Sequence, residues 1–422
     1  MESSNKTLSR LEQLNNQLDT QNLSQKREAP KPQFTSCWEH LRCNELISEK
    51  GRTFKDLVEK LMREINPQLN EYINKTEMPH FIVDKFKELK VNGLDAKGFG
   101  SPELNIVDTG SIFYELARWD ASVATYFIVS NCLGIAVVER CGGEDQKKRI
   151  LPDCIQMKKS ICFGLTEPTN GSDATGLLST AKKVEGGYLL NGFKRWIGNA
   201  TFADYIIIWA RNIDEGNKIQ GFVVDQGSKG LKTSKIENKY SIRMVQNADI
   251  EMKDVFVPDN NRLEKALDFG TGANNILKHS RIQVAWVATG IAAGAIEAAH
   301  KYALERKQFG KPIAGFQVNQ EKLARAISDV NSMILMCHRV SLMYQRGKAT
   351  MGHIAMTKAY CTRVARGVCA AARELCGGNG IILDNHVMKQ FMDIEGIHTY
   401  EGTYDINNLV GAREITGIPA FK

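Results

Sequence analysis

Near the C-terminus the chain reads Tyr400-Glu401-Gly402-Thr403-Tyr404-Asp405-Ile406, a carboxylate followed at once by glycine. A glutamate held in a dry pocket there could remove a carbon-bound proton. Burial disfavours the charged carboxylate and raises its pKa toward neutrality, where general-base work is most efficient. Gly402 would let a substrate approach the backbone. Read locally, Glu401 is equally an acid favoured by the dipole at a helix N-terminus.

Other segments carry groups that a planar or anionic ligand needs. Phe163-Gly164-Leu165-Thr166-Glu167-Pro168-Thr169-Asn170-Gly171-Ser172-Asp173 gathers hydroxyl, amide and glycine groups around one proline. It is either a loop presenting backbone N–H groups to a polar ring or an ordinary turn. Lys194-Arg195-Trp196-Ile197-Gly198-Asn199 sets an indole beside basic residues and a glycine, suited to stacking on a flat heterocycle or to packing in the core. Arg306-Lys307-Gln308-Phe309-Gly310 and Gly377-Gly378-Asn379-Gly380 each follow a helical pattern. Arginine and open glycine amides suit a pyrophosphate, and the same residues suit helix C-caps. Neither glycine cluster follows a strand, and no Gly-Lys-Ser/Thr occurs, which excludes a Rossmann fingerprint and a P-loop.

These groups must be positioned by three kinds of segment. From about Trp38 to Lys158 apolar residues recur at three and four, and the stretch Ile112 to Val138 is apolar over so much of its surface that it must be buried. From about Ser160 to Val257 short β-rich runs such as Tyr205–Trp209 and Gly221–Val224 alternate with turn signals, which predicts an antiparallel sheet or barrel. Helical spacing returns over Val284–Lys307, Asn319–Arg346 and Met351–Leu375 and predicts a bundle.

The 422 residues are 43% hydrophobic, enough for two or three packed regions and a large core. No uninterrupted apolar run approaches the ~20 residues of a bilayer span, so no membrane span is expected. The formal charge is +7, but basic groups such as Lys147-Lys148-Arg149 are interspersed with acids. That suits small anionic ligands and provides no concentrated stripe for nucleic acid. The ten cysteines form no Cys-x-x-Cys pair and no zinc spacing, as expected of reduced, buried thiols without a metal site.

The chemical segments occur in an order and spacing that resemble the acyl-CoA dehydrogenase and acyl-CoA oxidase flavoprotein family over about residues 50 to 420. The resemblance implies an α+β chain with an N-terminal helical domain (37–158), a middle antiparallel β-barrel domain (159–275) and a C-terminal four-helix bundle (276–422), preceded by a flexible leader (1–36). It implies FAD as cofactor, an acyl-CoA substrate and a homotetramer or dimer. Phe163, Leu165, Thr166 and Ser172 would line the flavin ring, backed by Trp196, Ile197 and Gly198. Arg306, Gln308, Phe309, Gln317, Gly377, Gly378, Asn379 and Gly380 would reach the adenine-dinucleotide half across a subunit interface. Thr403 and Asp405 match further cofactor contacts, and Ser172, Arg281 and Gly402 match the acyl-CoA site. Glu401 would take the proton α to the thioester while the electrons of the β C–H bond pass to the flavin, giving a trans-2-enoyl-CoA.

Within the family the tail is most similar to glutaryl-CoA dehydrogenases and plant-type peroxisomal short-chain acyl-CoA oxidases. The Glu and Arg that hold a glutaryl carboxylate correspond to Ala117 and Ala124 here, which favours a plain, short acyl chain whose pocket Tyr126 and Phe127 could shorten. Arg10-Leu11 and, five residues on, Gln17-Leu18 resemble a type-2 peroxisomal signal. A peroxisomal location would make dioxygen the electron acceptor, as in fatty acid β-oxidation by an oxidase. The alternatives are a mitochondrial matrix dehydrogenase serving an electron-transferring flavoprotein, and a catalytically silent assembly subunit that kept the fold.

Overall fold

The computed structural model describes residues 33–420, of which those from Ser36 onward form one compact unit. The segment 10–18, with its peroxisomal pattern, lies outside the described residues. The first region holds α1 (Glu49–Lys75), α2 (Phe81–Leu89), α3 (Ile106–Trp119), α4 (Ala121–Phe127), α5 (Ala136–Cys141) and α6 (Glu144–Ile155). Ser48 starts α1 by accepting from the Gly51 N–H, and its own hydroxyl donates to Asp108 on α3 at 2.6 Å. Such a cap satisfies one of the orphan donors of a helix start.

The sequence reads as one long helix from Ile112 to Val138, and the structure breaks it twice. Asp120 leaves the helical conformation, caps α4 by accepting from the Val123 N–H at 2.8 Å, and pairs with Lys389 at 3.0 Å. Between α4 and α5, Ile128–Ile135 widens into a π-helix. There the Asn131 amide donates to the Phe127 carbonyl that the regular ladder would use, and its Oδ1 accepts from the Leu94 N–H at 3.0 Å. Side-chain insertion of this kind opens the ladder.

The middle region contains β1 (Ile161–Gly164), β2 (Thr180–Val184), β3 (Gly187–Ile197), β4 (Tyr205–Asn212), β5 (Lys218–Asp225), β6 (Leu231–Lys235) and β7 (Ala248–Pro258). The expected antiparallel barrel needs correction in one respect. β1 and β2 lie end to end along one edge of β4, both parallel to it, while β5 runs antiparallel along the other. The remaining order is β2-β3-β7-β6, all antiparallel, and no described pairing joins β5 to β6. The sheet curls round a core that includes Ile206, Ile208, Phe222, Ile250 and Val255.

The third region comprises α7 (Asn275–Glu305), the two-residue strands β8 (Lys307–Gln308) and β9 (Lys311–Pro312), α8 (Gln317–Gln345), α9 (Met351–Leu375), α10 (His386–Thr399) and α11 (Tyr404–Thr416). α7 is buried for most of its length, packing on α8, α9 and α10 and also on α3. Gly290 and Gly294 make that approach possible, since a Cβ at either would stand within 2.1 Å of the Tyr114 or Arg118 carbonyl. The stretches Ala121–Cys141 and Gly270–Glu305 are long and apolar enough on average to cross a membrane by composition, although polar and charged residues such as Asn131, Glu139 and Arg281 interrupt both. Both are packed inside the fold, so protein replaces lipid around them.

Candidate active site

Glu401 sits in the turn between α10 and α11 with a left-handed backbone, φ +57°, and Gly402 continues the turn at φ +89°. A non-glycine residue in that region is strained and persists only where its surroundings hold it. Three side chains do so. Arg281 Nε donates to the Glu401 carbonyl at 2.9 Å, Lys358 Nζ donates to the Gly402 carbonyl at 2.7 Å and to the His398 carbonyl at 3.0 Å, and Asn407 Nδ2 donates to the Gly402 carbonyl at 2.7 Å. The same asparagine fixes the glycine, because a Cβ at 402 would lie 2.9 Å from its Nδ2. Ahead of the turn, the Tyr400 and Thr125 hydroxyls lie 3.3 Å apart and fasten it to α4.

The Glu401 carboxylate accepts from Ser280 Oγ at 3.0 Å. Burial pushes its pKa up, against which Arg281, the Ser280 bond, Lys358 and His279 favour the ionised form. A carboxylate raised but not silenced is suited to taking and returning a proton. The environment works in the opposite direction on Lys358, where burial brings the ammonium down to about 7. Arg281 was expected ahead of its helix. α7 begins earlier, at Asn275, so His279, Ser280 and Arg281 all lie in its first two turns and face the base together. His279 is itself held at 2.5 Å by Asp95.

At the sheet, the loop after β1 is organised by Glu167. Its carboxylate accepts from the Ser179 N–H at 2.9 Å and pairs with the fully buried Lys194 at 2.7 Å, which also donates to the Leu165 carbonyl at 3.1 Å. Thr166 is thereby laid along β3, its carbonyl accepting from the Arg195 N–H at 2.8 Å. An extra residue in β3 between Lys194 and Ile197 makes a bulge where Trp196 takes φ +66° and turns its ring outward, half exposed, with Arg195 over one face. Bulges commonly re-aim a side chain at a functional site. Close by, Asn247 donates to the Trp196 carbonyl at 3.1 Å, and the buried Oδ1 atoms of Asn247 and Asn199 have no partner in the chain. An open aromatic face beside unpaired acceptors fits a flat heterocycle bearing N–H groups.

The expected ring-lining residues divide. Thr166, Ser172 and Trp196 are accessible; Phe163, Leu165 and Gly198 are buried, and the Ile197 side chain belongs to the β core, leaving it only backbone atoms for a ligand. Arg306, Gln308, Gly377, Gly378 and Asn379 line one open pocket of about 420 Å³ together with Tyr302, to which Asn379 donates at 3.0 Å. Phe309, 93% exposed, and Gln317 lie on the surface, while Gly380 is buried. This pocket and Glu401 lie at opposite ends of α7, roughly 40 Å apart by helix rise. Within one chain the structure does not bring them together. Thr403 caps α11 by accepting from the Ile406 N–H at 3.3 Å, and Asp405 is exposed in its first turn.

Ala117 and Ala124 are both fully buried, the former against Gly290 of α7. Tyr126 and Phe127 pack edge to face on one another and are core. Sequence reasoning missed Ser280, Lys358 and Asn407. Lys358 carried a signal, a lysine on the stripe Ile354, Ala355, Cys361, Thr362 and Ala365 that otherwise forms the buried face of α9. Among the described residues no group of three or more His, Cys, Asp or Glu could hold a metal ion, and all ten cysteines are buried and free.

Three family models match the chain in succession: acyl-CoA dehydrogenase N-terminal domain over residues 48–158, middle domain over 162–255 and C-terminal domain over 271–416. The caffeyl-CoA reductase-Etf complex subunit CarC of Acetobacterium woodii is 32% identical over 370 residues, covering 87% of this chain and 96% of that protein. The 3-(aryl)acrylate reductase of Clostridium sporogenes is 30% identical over 375 residues, covering 88% and 98%. The fold superposes on a glutaryl-CoA dehydrogenase from Mycobacterium smegmatis in complex with FADH2 with a TM-score of 0.89 at 26% identity, covering 92% of this chain and all of that one.

Proposed function

The chain belongs to the acyl-CoA dehydrogenase family, and on that footing we propose that it is an FAD-dependent dehydrogenase acting between the α and β carbons of acyl-CoA thioesters, with Glu401 as its base. The observation that carries this is the Glu401 turn: a half-buried carboxylate with a raised pKa, aimed by Ser280 and clamped by Arg281, Lys358 and Asn407. Trp196, Thr166 and the unpaired Asn199 and Asn247 acceptors would hold the flavin ring; Arg306 and the Gly377–Asn379 amides would hold a pyrophosphate. Bound there, FAD supplies the two-electron acceptor that no side chain of the chain provides.

The chain's own part is to move one proton. Glu401 Oε takes the proton α to the thioester, and the carboxylate's retained positive neighbours keep it ionised before that step. A positioned base of this kind contributes roughly a hundred- to ten-thousand-fold. In the direction of reduction the same carboxyl returns the proton to the α carbon, which accommodates relatives named as reductases. The buried Ala117 and Ala124 offer no cation to a distal carboxylate, which favours a plain acyl chain.

For the electron acceptor, a relative named as part of an Etf complex supports an electron-transferring flavoprotein. Dioxygen was the first expectation from the sequence, resting on residues 10–18, and the similar proteins do not support it. The 40 Å between the Arg306 pocket and Glu401 supports a homo-oligomer in which each chain completes a neighbour's cofactor site. The test is reoxidation of substrate-bleached flavin. Slow reoxidation in air and fast reoxidation by an electron-transferring flavoprotein are expected, whereas fast, peroxide-forming reoxidation in air would restore the oxidase reading.

A further inference from the structure

Four lysines are buried in the described residues, Lys55, Lys194, Lys358 and Lys389. Three have a carboxylate within reach: Lys55 has Glu115 at 3.3 Å, Lys194 has Glu167 at 2.7 Å and Lys389 has Asp120 at 3.0 Å. Lys358 has none within 4 Å among the described residues and binds carbonyls alone. Burying an ammonium without a paired carboxylate is unfavourable, so something must favour it there. Two features do. The His398 carbonyl belongs to the last turn of α10, the negative end of that helix, where a cation is stabilised. The Gly402 carbonyl lies on the far side of the catalytic turn, so one ammonium spans Tyr400 and Glu401 from His398 to Gly402.

We propose that Lys358 is a positioning residue that holds the Glu401 turn closed between the His398 and Gly402 carbonyls and, through its charge, sets the pH above which Glu401 is ionised and able to act as base. The inference rests on the reading of Glu401 as the base. The charged and titratable groups that interact with Glu401 or Lys358 are Arg281 and His279 from α7, Cys132 from the π-helix, and His398 and Tyr400 from the α10 end; Arg366 of α9, Glu395 of α10 and Asp405 of α11 act on His398 in turn. Arg281 and Lys358 both favour the ionised form of Glu401. Arg281 is committed to the Glu401 carbonyl, which leaves Lys358 as the cation whose charge can be removed without cutting a bond to Glu401 itself.

The experiment compares wild type with Lys358→Met, Lys358→Arg and Glu401→Gln in the holoenzyme, following the acid limb of kcat/KM with butyryl-CoA. In the same holoenzyme without substrate, the Glu401 carboxyl stretch is followed by infrared difference against Glu401→Gln as pH is raised. Loss of the Lys358 charge should move both the acid limb and the infrared midpoint upward by ~1 unit, with Lys358→Arg staying near wild type. Should Lys358→Met fail to fold, Lys358→Gln keeps a donor for the carbonyls and removes the charge, and should move both midpoints likewise. Midpoints unmoved in a folded charge-removal variant, or moved equally in Lys358→Arg, would overturn the inference. Full activity in Glu401→Gln would instead overturn the reading of Glu401 as base.

Discussion

Ser280 Oγ donates to Glu401 Oε2 at 3.0 Å, from the second turn of α7 to the turn after α10, across 121 residues of sequence. The bond gives the carboxylate a fixed rotamer and favours its ionised form.

Ser280→Ala should therefore raise the Glu401 pKa further, since a hydrogen bond to the charged form is lost while burial remains. The acid limb of the kcat/KM profile should move up by about one pH unit, or ~1.4 kcal/mol, with activity recovering at high pH. A profile that falls uniformly without moving would assign Ser280 a structural role only.

The buried Lys194–Glu167 pair secures the loop that carries Thr166. Lys194→Met strands a carboxylate beneath the loop, and the expected loss is roughly 3 kcal/mol, at the low end for a broken buried pair because Glu167 lies only just below the surface. Denaturant unfolding of the flavin-free and flavin-bound forms should both show it, with flavin affinity falling as the loop loosens. Unchanged stability would mean that solvent reaches Glu167.

Asp393 is buried beside Asp120 and rises from the ordinary 3.8 to about 7, with burial the larger cause. It accepts from the Ile242 N–H at 2.6 Å and so joins the sheet region to α10, the helix that leads into the catalytic turn. A carboxyl with a raised folded-state pKa contributes stability that is complete below its unfolded value and is lost as pH rises through the folded one. Stability should thus decline between about pH 4 and 7 by up to ~4 kcal/mol from this group. Asp393→Asn, which keeps the acceptor, should flatten that part of the curve; thermal unfolding across pH measures it.

If the Arg306 pocket serves a neighbouring chain's cofactor, Arg306→Ala and Glu401→Gln should each be nearly inactive alone and complement one another when co-expressed. Mixed oligomers would then contain some sites with both residues intact. Activity no higher than the sum of the separate variants would contradict a site shared between chains.

Much of the chemistry was legible locally. Glu401-Gly402, Trp196 and the Arg306 and Gly377 clusters stand out because unusual residue types sit in short, dense patterns. What was not legible depends on partners far away in sequence. Asp120 breaks an apparently continuous helix because its partner Lys389 is 269 residues distant. β1 and β2 run parallel to β4, which no local alternation of apolar residues encodes. Ser280 and Asn407 are ordinary polar residues whose role exists only once α7 and α11 flank the Glu401 turn. The π-helix at Ile128–Ile135 was hidden by its mostly apolar composition, in which the Ser130–Asn131 pair is the one local sign of the insertion.

The most direct test of Glu401 as the base is anaerobic stopped-flow flavin bleaching by butyryl-CoA in wild type and in Glu401→Gln, with acyl-CoA binding measured in both. The variant is expected to bind the thioester and flavin as wild type does while bleaching at least ~100-fold more slowly. Bleaching at the wild-type rate in Glu401→Gln would contradict the assignment of Glu401 as base.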